Sequence, residues 1–103
     1  GVRPMELLLL GLGGCSAFDV VLILKRGWQD VLDCVVELDA QRAPEDPKVF
    51  TRIVMRYIVT GRNLDRRKVE RAVRLSDEKY CSASAMLAKT AKIEHEIEIV
   101  ESA

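Results

Sequence analysis

Apolar and polar positions divide the 103-residue chain into six segments. From Met5 to Leu24 only Glu6, Ser16 and Asp19 are clearly polar. Pro4 suits the first turn of a helix, where its missing N–H is not needed. Lys25, Arg26 and Gly27 supply the cations and the glycine that end one. This predicts a helix of about 20 residues, roughly 30 Å long. It is apolar on almost every side and is therefore expected to be buried. Asp33 to Asp39 alternates, with Cys34, Val36 and Leu38 on one face and Val35 on the other. After the turn Ala43 to Pro47, the stretch Val49 to Thr60 sets Val49, Ile53, Met55, Tyr57 and Val59 against Arg52, Arg56 and Thr60. Two strands in a hairpin with one wetter face follow.

Past a second turn at Gly61 to Asn63, Asp65 is placed to cap a helix starting at Arg66. Its inner stripe is Val69, Ala72, Val73 and Ser76, and its basic residues stay wet. A third helix is expected from Ser82 to about Ala91. Ile93 to Val100 then alternates Ile93, His95, Ile97 and Ile99 with Glu94, Glu96 and Glu98, which makes a half-buried strand. The strands are too few for a closed barrel. The expected class is α+β, a long buried central helix and two further helices packed on one face of an antiparallel sheet.

Composition narrows the function. Lys+Arg and Asp+Glu number 16 each, so no general attraction to nucleic acid or an anionic membrane is expected. The basic helix from Arg66 to Arg74 is interrupted by Glu70 and has no aromatic platform, so it reads as a solvated face. A domain this small buries only about two-thirds of its unfolded surface, which leaves room for help from a second subunit. Three cysteines, Cys15, Cys34 and Cys81, form no secreted disulfide framework and fit reduced thiols in the cytoplasm. No Cys/His zinc spacing is present and the one histidine, His95, shares a face with isoleucines, so neither a metal nor a cofactor is expected.

The stretch LLLLGLGGCS, Leu7 to Ser16, admits three readings. A lipoprotein signal would need a cationic front, which Glu6 interrupts, and a polar tether after the cysteine, where Ala17 to Leu24 is apolar. A membrane helix would carry Asp19 deep into hydrocarbon, at about 2.5–3.5 kcal/mol. A buried helix remains. Each of its interior glycines costs about 1 kcal/mol relative to Ala. Gly11, Gly13 and Gly14 are then expected to admit another backbone or to bend the helix ahead of Cys15. Cys34 reads as a small strand hydrophobe. Cys81 lies at the predicted start of a helix beside Lys79 and Tyr80, a position that favours a reactive thiol.

Pro4 to Ser16 (PMELLLLGLGGCS), Pro47 to Thr51 (PKVFT) and Ser76 to Ser82 (SDEKYCS) together resemble the OsmC/Ohr family of osmotically inducible and organic hydroperoxide resistance proteins. The resemblance covers nearly the whole chain, and the two cysteines stand 66 positions apart in family-like order. It implies a single domain over residues 1–103, with the family's N-terminal strands absent from this chain, in an intertwined homodimer whose central helices pack back to back. It further implies that Cys15 attacks an organic hydroperoxide, that Cys81 resolves the product, and that a dithiol restores the pair. Glu6, Lys79 and Tyr80 are possible auxiliaries. The sequence departs from the peroxidase pattern in three places. Met5 follows Pro4, with the glutamate one step later at Glu6; no activating arginine precedes the helix nearby; and Ser82 stands where proline often follows the second cysteine. A second function is therefore kept beside the first, a non-catalytic dimeric module of the same fold that binds an apolar ligand.

Overall fold

A computed structural model describes residues 3–102, apart from the side chain of Tyr80. The order is α1 (Pro4–Arg26), β1 (Asp30–Arg42), β2 (Phe50–Arg62), α2 (Arg66–Leu75), a π-turn (Ser76–Tyr80), α3 (Ser82–Leu87) and β3 (Lys92–Glu101). The strands form one sheet in the order β1-β2-β3. The class is α+β, as the alternation of segments predicts.

The sheet is mixed. β1 and β2 pair antiparallel, as a hairpin must, whereas β3 runs parallel to β2. The expectation of an all-antiparallel sheet is corrected here. A parallel neighbour needs a crossover of a dozen or more residues, and residues 63–91, which carry α2, the π-turn and α3, supply it. Side-chain alternation is the same for either direction, so the pattern along β3 could not tell the two apart.

Register confirms the faces. Cys34, Val59 and Ile99 share one rung, then Val36, Tyr57 and Ile97, then Leu38, Met55 and His95, then Ala40, Ile53 and Ile93. These face the helices, and Ile53, Met55, Tyr57 and Val59 of the central strand are fully buried. On the other face Arg52 meets Glu94 at 2.8 Å and Arg56 meets Glu96 at 3.4 Å, exposed pairs that contribute little stability. Two register shifts change which residues turn inward. One leaves Leu32 unpaired and buries Val31; the other leaves Thr51 unpaired and buries Phe50. Phe50 thus takes the inner place that strict parity gives to Val49, which is exposed.

α1 lies across the inner face and touches β1, α2, the π-turn and α3. Leu12, Gly13, Ser16, Val20 and Leu24 form its buried stripe. Each of Leu12, Val20 and Leu24 contributes about 1.5–3 kcal/mol by burial. The helix is continuous through its glycines. Gly13 is the close-packing point: an added Cβ would stand 2.9 Å from Leu38 Cδ1. Gly11 and Gly14 face open space instead, on a stripe with Leu7, Phe18 and Leu22. The helix is therefore covered on one side only within this chain, not all round as its composition suggests. By length and composition α1 could cross a membrane, but it is the helix on which the sheet and both other helices pack.

Two capping details complete the frame. Asp65 caps α2 by accepting from the Arg67 N–H at 2.9 Å, as expected. At the end of α1, Gly27 has an ordinary φ of −87°, and the left-handed residue is Trp28, with φ 63° and 95% exposure. Glycine precedes the left-handed position here rather than filling it.

Candidate functional site

α1 and the chain that follows α2 bring Cys15 and Cys81 together. Cys15 is half-buried on α1, at the edge of the exposed stripe. Cys81 is buried and is the N-cap of α3, as the sequence predicts, with its Sγ accepting from the Ser84 N–H at 3.4 Å. The π-turn delivers it. Cys81 N donates to Ser76 O at 2.7 Å, a bond spanning five residues that widens the last turn after α2. The two sulfurs and a carboxylate oxygen of Asp19 all lie within 4.8 Å of one another.

Three buried serines surround this group, each with a hydrogen bond. Ser16 Oγ donates to Cys81 Sγ at 3.5 Å, Ser76 Oγ to Asp19 Oδ2 at 3.1 Å, and Ser84 Oγ to Asp77 Oδ1 at 2.5 Å. A buried polar group in an apolar core is costly unless satisfied, and these bonds satisfy the three serine hydroxyls. Tyr57 adds its hydroxyl from β2, beside Ser16, with a contact to Met55 Sδ at 3.9 Å. Burial raises its ionisation far above the ordinary phenol range. His95 closes the cluster. Its Nε2 is buried and lies 3.5 Å from Asp77 Oδ1, and its ring sits 5.9 Å from that of Tyr57.

The local electrostatics hold Cys15 as a thiol. A hydrogen bond to Cys81, burial, and the charges of Cys81 and Asp19 push it up to about 11 from 9.0, against a smaller lowering by the Ala83 backbone. Among the described residues, none of the groups acting on it is a cation. Cys34, on the inner face of β1, is pushed up to about 11 by burial and by Asp33, as befits a strand hydrophobe.

The other residues singled out in the sequence fall elsewhere. Glu6 is exposed, nine residues before Cys15, about 13.5 Å along the helix and on its opposite side. It lines a groove of about 460 Å³ with Pro4, Met5, Leu9, Ala40 and Phe50. Lys79 is exposed on the π-turn, and the Tyr80 side chain lies outside the described residues. Sequence reasoning missed Ser16, Tyr57, Ser76, Asp77 and Ser84, and noted Asp19 only as an obstacle to membrane insertion. The available signal was spacing. Asp19 stands four residues after Cys15, hence one turn away on the same face, and four serines flank the two cysteines within five positions, Ser16, Ser76 and Ser84 among them.

Residues 1–96 match the family model described as OsmC-like protein. The chain belongs to the OsmC-like family. Its relatives include Protein YhfA of Escherichia coli (strain K12), 54% identical over 97 residues, which are 94% of this chain and 72% of that protein. Among solved structures, a hypothetical protein from Aquifex aeolicus VF5 is 36% identical with a TM-score of 0.94, over 100% of this chain and 77% of the other. An OsmC-like protein from Mycoplasma pneumoniae shares the fold at 15% identity, TM-score 0.84, over 97% and 73% of the two chains. The organic hydroperoxide resistance protein OhrB of Bacillus subtilis shares it at 18% identity, TM-score 0.60, over 96% and 70%. The OsmC-like resemblance drawn from the cysteine motifs is thus upheld.

Proposed function

We propose that this OsmC-like chain is a thiol-dependent peroxidase for organic hydroperoxides, working as a cytoplasmic homodimer. The observation that carries the proposal is the meeting of Cys15 and Cys81, 66 positions apart in sequence, in a buried polar cluster that opens at Cys15. In this scheme the Cys15 thiolate attacks the outer peroxide oxygen. The O–O bond breaks, the alkoxide takes a proton and leaves as the alcohol, and Cys15 becomes a sulfenic acid. The Cys81 thiol then displaces water from it to form the disulfide, and an external dithiol reduces that bond by exchange. Solved structures of this fold include organic hydroperoxide resistance proteins, which supports a role in peroxide resistance. The second subunit would cover Leu7, Gly11, Gly14, Phe18 and Leu22, where Phe18 is 69% exposed and the two glycines let a helix approach closely.

One observation favours a second reading, a non-catalytic dimeric module binding an apolar ligand. The Cys15 thiol is held protonated, next to a carboxylate instead of a cation. One experiment separates the two. Reduced protein, in excess chelator, receives a small excess of cumene hydroperoxide and is read by intact mass. Loss of two hydrogens that disappears in Cys15→Ser supports the peroxidase. Thiols left unchanged after prolonged exposure would reject it. Sedimentation of the wild type against Phe18→Glu tests the dimer, whose loss in the variant is expected.

A further inference from the structure

Cys15, Asp19 and Cys81 offer two sulfurs and a carboxylate oxygen, mutually within 4.8 Å. Cys15 and Asp19 stand one turn apart on α1, the spacing that sets two ligands on one helix face. Cys81 closes the triangle from the start of α3. In a tetrahedral zinc site with Zn–S of about 2.3 Å, neighbouring sulfurs stand about 3.8 Å apart, so a contraction of about 1 Å at most completes the set. We propose that Cys15, Asp19 and Cys81 form a metal site for a thiophilic divalent cation, with zinc as the expected occupant.

The donors select the ion. Two thiolates and one carboxylate suit zinc, whereas magnesium and calcium take oxygen ligands. Three protein ligands leave a fourth position open, on the half-buried Cys15 side. The outer partners already have the arrangement that such sites use to orient their ligands. Ser76 Oγ holds Asp19 Oδ2 and leaves the other carboxylate oxygen for the ion. Ser16 Oγ and the Ser84 N–H both donate to Cys81 Sγ and fix its position. On binding, two S–H bonds give way to two metal–sulfur bonds and two protons are released to solvent, with no change of oxidation state. Spacing along the sequence does not reveal this set, because Cys81 arrives from the far side of the crossover. The site does not depend on the peroxidase reading, but occupancy and oxidation of the same sulfurs exclude each other.

The test uses reduced, chelator-stripped protein under anaerobic conditions. Cobalt(II) reports the ligands through its thiolate-to-metal charge-transfer absorption, and zinc affinity is read by competition with a chromophoric chelator. One ion per chain is expected, with the charge-transfer band lost in Cys15→Ser and Cys81→Ser and retained in Cys34→Ser. Ser76→Ala should weaken zinc by about 10-fold or more, as loss of an outer partner does. Circular dichroism checks that each variant is folded. Absence of the charge-transfer band in the wild type, or a band that survives Cys15→Ser, would overturn the site. The peroxide experiment runs with metal removed, so either idea can fail alone.

Discussion

Removing one thiol of the pair should make the other more reactive. The leading causes of the raised Cys15 are the hydrogen bond to Cys81, then burial, then the charge of Cys81. Cys81→Ala deletes the first and third and leaves burial and Asp19, so Cys15 should titrate between 9.0 and about 11. At pH 8, a fall of roughly one pH unit raises the thiolate fraction about 10-fold, and a fall of two raises it about 100-fold. Nucleophilicity drops as the thiol becomes more acidic, with a Brønsted slope of about 0.4–0.5, so the net gain in rate is about 3-fold to 16-fold. The assay is iodoacetamide labelling of Cys15 across a pH series, followed by peptide mass spectrometry in the presence of chelator. In the wild type the rate should climb through pH 9 and level only toward 11. Stability carries the same sign. The folded state holds this proton more tightly, so the contribution is whole below the ordinary thiol value and is lost as pH rises from there toward 11. Equal labelling rates in wild type and variant would refute the assignment of Cys81 as the main cause.

Two further outcomes test the frame. Gly61→Ala should destabilise by about 1–3 kcal/mol in urea unfolding, because the added Cβ would overlap the Asp30 carbonyl oxygen and crowd Leu64. Trp28→Gly should raise the thermal midpoint by relieving a left-handed conformation worth about 1–2 kcal/mol in an L-residue, since a side chain 95% exposed gives up almost no burial.

Much of the architecture was legible because it follows from local rules. Asp65 could be read as a cap, Val69, Ala72 and Val73 as an inner stripe, and the isoleucines of β3 as one face, because each rests on a period or on a single hydrogen bond. The direction of β3 was not legible, since alternation carries no sense of travel. The inward turn of Phe50 escaped because a register shift resets parity without marking the sequence. The end of α1 was legible from Lys25, Arg26 and Gly27, but the left-handed conformation of Trp28 just beyond it was not, because that residue is not a glycine. At the site, both cysteines stood out as chemistry. Asp19 and the serines did not, because their meaning depends on the π-turn, which brings Ser76 and Cys81 against α1.

That turn also decides which partner of the pair travels. A disulfide needs its sulfurs about 2.05 Å apart, so any bond between Cys15 and Cys81 demands movement. Cys15 belongs to a 23-residue helix held by β1, α2 and α3. Cys81 sits at the joint between a five-residue π-turn and a six-residue helix. The first behaves as a stator and the second as a short arm. A change in the spacing of the sulfurs would therefore be expected to fall on α3, which carries the solvent-facing Met86. Closing the sulfur pair would thus be expected to shift a short helix at the surface.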